Sequence, residues 1–125
     1  MAVHRVQNRE ELHIGGDWRT PDDYIEVTDL AEGGEFARVA AATPSDAADA
    51  LEAAKRAEPA LRQMTVVERT EWLEGIADGI ESRADELAEI IVREAGKPIS
   101  SARGEVESAA ERFRHPSWPS VVPST

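Results

Sequence analysis

The period of the apolar side chains changes once along this sequence, at Thr43-Pro44, and that change constrains the fold more than any other feature. Before it, apolar and polar residues alternate, most plainly in Glu35-Phe36-Ala37-Arg38-Val39-Ala40, which is the spacing of a half-buried strand. After it, apolar residues recur every three or four positions as far as Phe113, the spacing of helices with one buried face. The expected architecture is therefore α+β: antiparallel β-hairpins at the N-terminal end, followed by about four helices.

Two pairs of glycines mark the turns of the β part. Leu12-His13-Ile14 meets Gly15-Gly16 and then Asp17-Trp18-Arg19, two short segments around residues that tolerate positive φ, which is a hairpin signal. Thr20-Pro21-Asp22-Asp23 interrupts, and Tyr24-Ile25-Glu26-Val27-Thr28 resumes a β-rich run. After the turn Leu30-Ala31-Glu32-Gly33-Gly34, residues 35–40 pair most simply back onto residues 24–28.

Helix one opens with Thr43 as N-cap, Pro44 at a position where a missing N–H costs nothing, and Asp46 facing the positive end of the dipole. It runs to about Arg62 along the apolar line Ala47, Leu51, Ala54 and Leu61, and Pro59 is expected to kink it or end it early. Thr65-Val66-Val67-Glu68 is a capping box opening helix two, whose inward stripe is Leu73, Ile76, Ala77 and Ile80. Ser82-Arg83-Ala84-Asp85 repeats the cap signal ahead of helix three, which buries Leu87, Ile90 and Ile91 and stops at Gly96 before Lys97-Pro98. Helix four begins near Ser100 and carries Ala102, Val106, Ala109, Ala110 and Phe113 on one face. Residues 1–11 read as a flexible leader. Residues 115–125 read as a disordered Pro/Ser-rich tail, because Pro116, Pro119 and Pro123 forbid a continuing helix and the last 14 residues contain no acid.

Composition limits what such a chain can do. With 125 residues it supports one modest core, too small for two lobes around a cleft. The absence of cysteine removes disulfides, thiolate metal sites and every cysteine nucleophile. A net charge of −11 with no basic patch makes nucleic acid and anionic membranes poor partners, and no apolar run approaches membrane-spanning length. The acids, 25 in all, face 14 bases of which only Lys55 and Lys97 are lysine. Such a surface stays hydrated where salt screens charges within about 3 Å, so a salt-adapted cytoplasm is the expected location.

No residue pattern announces catalysis. His4, His13 and His115 have no partner at ligand spacing, so no metal site is expected. Glu68 and Glu71, or Glu86 and Glu89, fall on outward helix faces beside Arg69 and Arg93 and read as solvated charge. Neither glycine pair lies between a strand and a helix as phosphate cradles do. Ser82, Ser100 and Ser101 read as caps, since no G-x-S-x-G elbow surrounds them. No catalytic, cofactor-binding or metal residue is assigned. A second, non-catalytic possibility is a helical interaction module anchored by Leu73, Ile80, Ile90 and Phe113, residues that serve equally well as internal core.

Read in order, residues 12–114 resemble the beginning of an aldehyde dehydrogenase superfamily subunit. Leu12-His13-Ile14-Gly15-Gly16-Asp17-Trp18 resembles the family's opening hairpin "Y-I-G-G-E-W". Glu26-Val27-Thr28-Asp29 with Gly34-Glu35-Phe36-Ala37-Arg38-Val39 is similar to its "V-x-N-P-A-T-G-E-x-I-A-x-V" strand pair, and Glu68-Arg69 with Leu73 to its "E-R-x-x-x-L". Leu87-Ala88-Glu89-Ile90-Ile91 through Glu94-Ala95-Gly96-Lys97-Pro98 resembles "E-L-A-x-L-I-x-x-E-x-G-K-P", and Ala102-Arg103-Gly104-Glu105-Val106 with Phe113-Arg114 continues the likeness. This chain departs from the pattern in three places: Leu30 stands where the family usually has proline, one extra glycine lengthens that turn, and Glu58 and Leu61 occupy positions that are usually aromatic.

The resemblance implies a truncated N-terminal piece of a subunit whose full-length relatives oxidise aldehydes to carboxylic acids with NAD(P). In the family this region is part of an α/β NAD(P)-binding domain, and the nucleotide site, general-base glutamate and nucleophilic cysteine lie beyond it. The chain alone is therefore expected to bind no NAD(P) and to be inactive. Its implied partner is the remainder of a dehydrogenase subunit. Some members hold a structural cation near the positions of the Thr28 carbonyl and Glu94; none is expected here.

Overall fold

The computed structural model describes residues 10–115; the leader up to residue 9 and the tail from residue 116 lie outside the described residues. Strands β1 (Leu12–Ile14) and β2 (Asp17–Arg19) pair antiparallel, with Ile14 opposite Asp17 and Leu12 opposite Arg19. The two-residue turn between them holds Gly15 at φ 63° and Gly16 at φ 91°, a combination that side chains resist and that matches the twist of the flanking strands. Across this hairpin the His13 and Trp18 rings stand 4.6 Å apart.

Strands β3 (Asp23–Thr28) and β4 (Glu35–Ala41) form a second, separate antiparallel pair. Its register shifts by one residue, since Val27 faces Ala37 while Thr28 faces Glu35. Phe36 is thus the extra residue of a β-bulge, the device by which a strand re-aims a side chain.

Helices α1 (Pro44–Gln63), α2 (Val66–Ser82), α3 (Ala84–Ala95) and α4 (Ile99–Arg114) follow. Both expected capping boxes are present. The Thr43 hydroxyl accepts from the Asp46 amide at 3.2 Å while Asp46 accepts from the Thr43 amide at 2.8 Å, and Thr65 and Glu68 repeat the exchange at 3.2 and 2.7 Å. Gly96, at φ 65°, ends α3 in the left-handed conformation.

Three local expectations are corrected. Helix α1 continues through Pro59 to Gln63; the amide that Pro59 lacks would have met the Lys55 carbonyl, and Lys55 is solvent-exposed, so water can satisfy that oxygen. Ser82 does not cap α3: its hydroxyl donates to the Gly79 carbonyl at 2.9 Å, and the N-cap is Arg83, without a side-chain bond. Helix α4 starts at Ile99 after Pro98, so Ser100 and Ser101 lie inside its first turn and no side chain caps it.

The core lies in the seam where α4 runs back along α2 and α3. Ala88, Ala102 and Val106 are buried there, with Ile80, Ala84, Leu87, Ile91 and Val92 packed around them. Alanines on both sides of a seam let helix backbones approach closely; the buried apolar residues are Ala77, Ala88, Ala102 and Ala110 besides Val106. Exposed ion pairs follow the antiparallel direction, Arg103 reaching Asp85 at 3.4 Å and Arg114 reaching Asp78 at 2.7 Å.

Helix α1 stands apart from this core. It has no buried residue, and Leu51 in the middle of its expected inward line is 74 % exposed. It rests on the first hairpin, where Arg19 bonds Asp46 at 3.2 Å and Asp49 at 2.8 Å and where Gly15 leaves room beside Ala53. The expected inward line is corrected: Ala47, Leu51, Ala54 and Leu61 are all exposed, and the side of α1 that meets the hairpin carries Asp46, Asp49 and Ala53.

Candidate functional site

The one buried charged side chain among the described residues is Asp29, 2 % exposed, at the end of β3. Its Oδ1 accepts from the Ala31 and Glu32 amides, each at 2.9 Å, closing an Asx turn at the start of the loop. Its Oδ2 accepts from Nε of Arg93 in the last turn of α3 at 2.6 Å, and Nη2 of the same guanidinium completes the ion pair at 2.6 Å. The Arg93 guanidinium lies 4.2 Å over the ring of Phe36, the residue that the bulge re-aims. Backbone bonds complete the junction: the Leu30 amide donates to the Arg93 carbonyl at 2.7 Å, and the Asp29 amide to Gly34 at 2.8 Å.

This junction ties the second hairpin to the helices. The Glu32 amide above all, then the Arg93 guanidinium and the Ala31 amide, hold the Asp29 carboxyl below its ordinary value of 3.8 against the upward pull of burial. A buried carboxylate held ionised by these donors is a weak proton acceptor, and its bonds tie the hairpin to the helices.

Arg93 corrects the sequence reading, which placed it on a solvated face; it is the buried carboxylate's partner, 64 positions away in sequence. Asp followed by a turn ending in Gly33-Gly34 was the available signal, since Asp at a turn start bonds its own following amides. Leu30 supplies the N–H that bonds the Arg93 carbonyl.

The other residues singled out from sequence do not converge. Of the four possible anchors, Ile80 packs on the buried core, Leu73 and Ile90 are half-buried, and Phe113 is 36 % exposed at the rim. Glu68 serves the α2 cap, and Glu86 pairs with Arg83 at 2.7 Å. His13 lies in β1 against Trp18, and His115 follows α4. Thr28 and Glu94 are both exposed, and no group of three or more His, Asp or Glu among the described residues could hold a metal ion. A pocket of about 200 Å³ between the first hairpin and α1 is lined by Asp17, Arg19, Asp49, Glu52 and Arg56 together with backbone of Gly15. Arg19 is committed there to Asp46 and Asp49.

Among the described residues the strand-to-helix turn that cradles a dinucleotide does not occur. Such cofactors sit where a parallel strand runs through a glycine-rich turn into a helix. Here every strand pairing is antiparallel, and Gly15, Gly16, Gly33 and Gly34 take their positive φ inside hairpin loops. The N-termini of α1 and α2 are occupied by their own capping boxes.

Comparison with known proteins accounts for this arrangement. Residues 18–116 match the model of the aldehyde dehydrogenase family. The chain is 36% identical to lactaldehyde dehydrogenase of Escherichia coli over 109 residues, which are 85% of this chain and 22% of that enzyme. Among solved structures, it superposes with a TM-score of 0.79 on succinate-semialdehyde dehydrogenase from Burkholderia pseudomallei at 34% identity, covering 85% of this chain and 22% of that one. The NADP-dependent glyceraldehyde-3-phosphate dehydrogenase from Bacillus halodurans, solved with NADP, gives a TM-score of 0.80 at 28% identity and 87% coverage of this chain. The chain thus spans about a fifth of the length of the curated relatives it matches, and its paired strands and four helices correspond to one part of their fold. The chain belongs to the aldehyde dehydrogenase family.

Proposed function

We propose that this chain is the opening portion of an aldehyde dehydrogenase subunit, a structural part of an NAD(P)-dependent oxidoreductase that has no activity by itself. One observation carries this reading: the family match runs through nearly all of the described residues, yet the sequence contains no cysteine and spans only 22% of the matched lactaldehyde dehydrogenase. Oxidising an aldehyde through a thioester needs a thiolate to attack the carbonyl, a hydride acceptor held beside it and a base to activate water. Those groups belong to the remainder of the subunit, which is the partner of this chain. The apolar line of α1 and the exposed Ile25 and Val39 of the second hairpin are the surfaces it would cover.

The acidic, lysine-poor composition supports a cytoplasm rich in salt as its setting. Among the described residues no helix is long and apolar enough to cross a membrane.

Titrating NAD and NADP into the purified chain by calorimetry tests the first half of the proposal. No heat of binding is expected at low or molar salt, and saturable binding of either nucleotide would overturn it. Circular dichroism across the same salt range tests the second half. Helix content is expected to rise with salt, and equal content at both extremes would remove the salt-adaptation reading.

A further inference from the structure

The first hairpin and α1 belong together although the second hairpin separates them in sequence. Arg19 of β2 holds Asp46 at 3.2 Å and Asp49 at 2.8 Å, both in the first half of α1. The place a side chain would take at Gly15, in the hairpin turn, lies 3.4 Å from the Ala53 methyl. The two elements share the pocket lined by Ile14 and Arg19 on one side and by Asp49 and Ala53 on the other. The second hairpin is fastened elsewhere: buried Asp29, the Leu30 amide and the Phe36 ring all meet Arg93 of α3.

Different forces hold the two groups. Helices α2, α3 and α4 bury Ala77, Ala88, Ala102, Val106 and Ala110 among them, whereas α1, β1 and β2 contain no buried residue. What joins α1 to the hairpin is the fork of Arg19 on two carboxylates, a solvent-accessible contact of the kind that contributes little in water. Bonds leading out of the group, such as Glu10 to Arg38 and Arg69 to the Leu61 carbonyl, are exposed as well. Neither part is stable by itself. A lone two-stranded hairpin is marginal in water, and so is a helix without a packed face, even one as rich in alanine and as well capped by Thr43 and Asp46 as α1.

We infer that residues 12–19 and 44–63 open together as one cooperative unit, latched by Arg19, while the second hairpin and the seam of α2, α3 and α4 stay folded. Opening breaks nothing in the seam. Strands β1 and β2 precede β3 along the chain, and α1 melts into a loop, residues 42–65, whose ends remain where β4 and α2 hold them. The fold thus contains a device for local reordering: the helix that exposes Leu51 and Leu61 is also the one that rearranges without disturbing the core.

Amide hydrogen exchange of the full chain, read residue by residue by NMR, tests this. Amides of α1 and of the paired strands β1 and β2 are expected to exchange at least about a hundredfold faster than those around Val106. Ala54→Gly is the sharpest variant, because Ala54 is exposed and the change acts through helix propensity. It should speed exchange about fivefold in α1 and equally in β1 and β2, with the rates in α2, α3 and α4 unchanged. Arg19→Gln, made on the hairpin side, should in turn speed exchange in α1. Trypsin under native conditions gives a second reading: among the described residues the first cuts should fall at Lys55, Arg56 and Arg62. Exchange in α1 as slow as that around Val106 would overturn the inference, and so would first cuts at Arg83, Arg93 or Arg103. An Ala54→Gly effect confined to α1, or spread equally into the seam, would overturn it too.

Discussion

Val106 is the buried core residue in which packing has most to lose, and its truncation gives the sharpest stability test. It is 5 % exposed, between Ala88 and Ala102 and within reach of Ile80 and Leu87, and it is the one buried apolar side chain of the seam larger than alanine. Val106→Ala removes two methyl groups, which at about 0.8 kcal/mol each cost about 1.6 kcal/mol. The partly collapsed void raises this to about 2 kcal/mol. For a domain of this size the melting temperature then falls by about 8 °C. Leu51→Ala on α1 removes more carbon but from a side chain already 74 % exposed, so its effect stays within about 0.5 kcal/mol. Thermal melts followed by far-UV circular dichroism read both. A Leu51→Ala loss equal to or larger than that of Val106→Ala would refute the placement of the core in the seam of α2, α3 and α4.

Other outcomes follow from single contacts. Thr65→Ala removes the α2 capping box and should cost about 1 kcal/mol, whereas Ser82→Ala, which loses only a bond to the Gly79 carbonyl at the end of α2, should leave the melting temperature nearly unchanged. Gly96→Ala keeps room beside Leu30 but forces a side chain into φ 65°, and should cost about 1 kcal/mol in the same melts. The Asp29 carboxyl titrates below its unfolded value of 3.8, so its contribution to stability is fully present above that pH and is lost as the pH falls through the lowered value. Asp29→Asn should therefore flatten the acid limb of a stability–pH curve; a curve unchanged between variant and parent below pH 3.8 would remove the junction's role.

Local signals were read well from sequence because local physics determines them. Two glycines between short β-rich segments specify a turn with two positive φ values, and Thr43 and Thr65 each carry an acid three residues later to close a box. Local reading erred at Pro59, Ser82 and Ser100, and two further misreadings have a non-local cause. Periodicity says which face of α1 is apolar, but whether Leu51 is buried depends on an element that must lie opposite, and none of the described elements does. The Asp29–Arg93 pair joins residues 64 positions apart, so only its Asx half was visible as a turn signal. What the sequence did not show is that this carboxylate holds a hairpin to a helix.

The most direct test of the central claim is turnover. The purified chain, mixed at molar salt with NAD or NADP and a panel of aldehydes including lactaldehyde and succinate semialdehyde, should produce no reduced nucleotide above the protein-free rate. Sustained reduction that scales with the concentration of this cysteine-free chain would contradict the account.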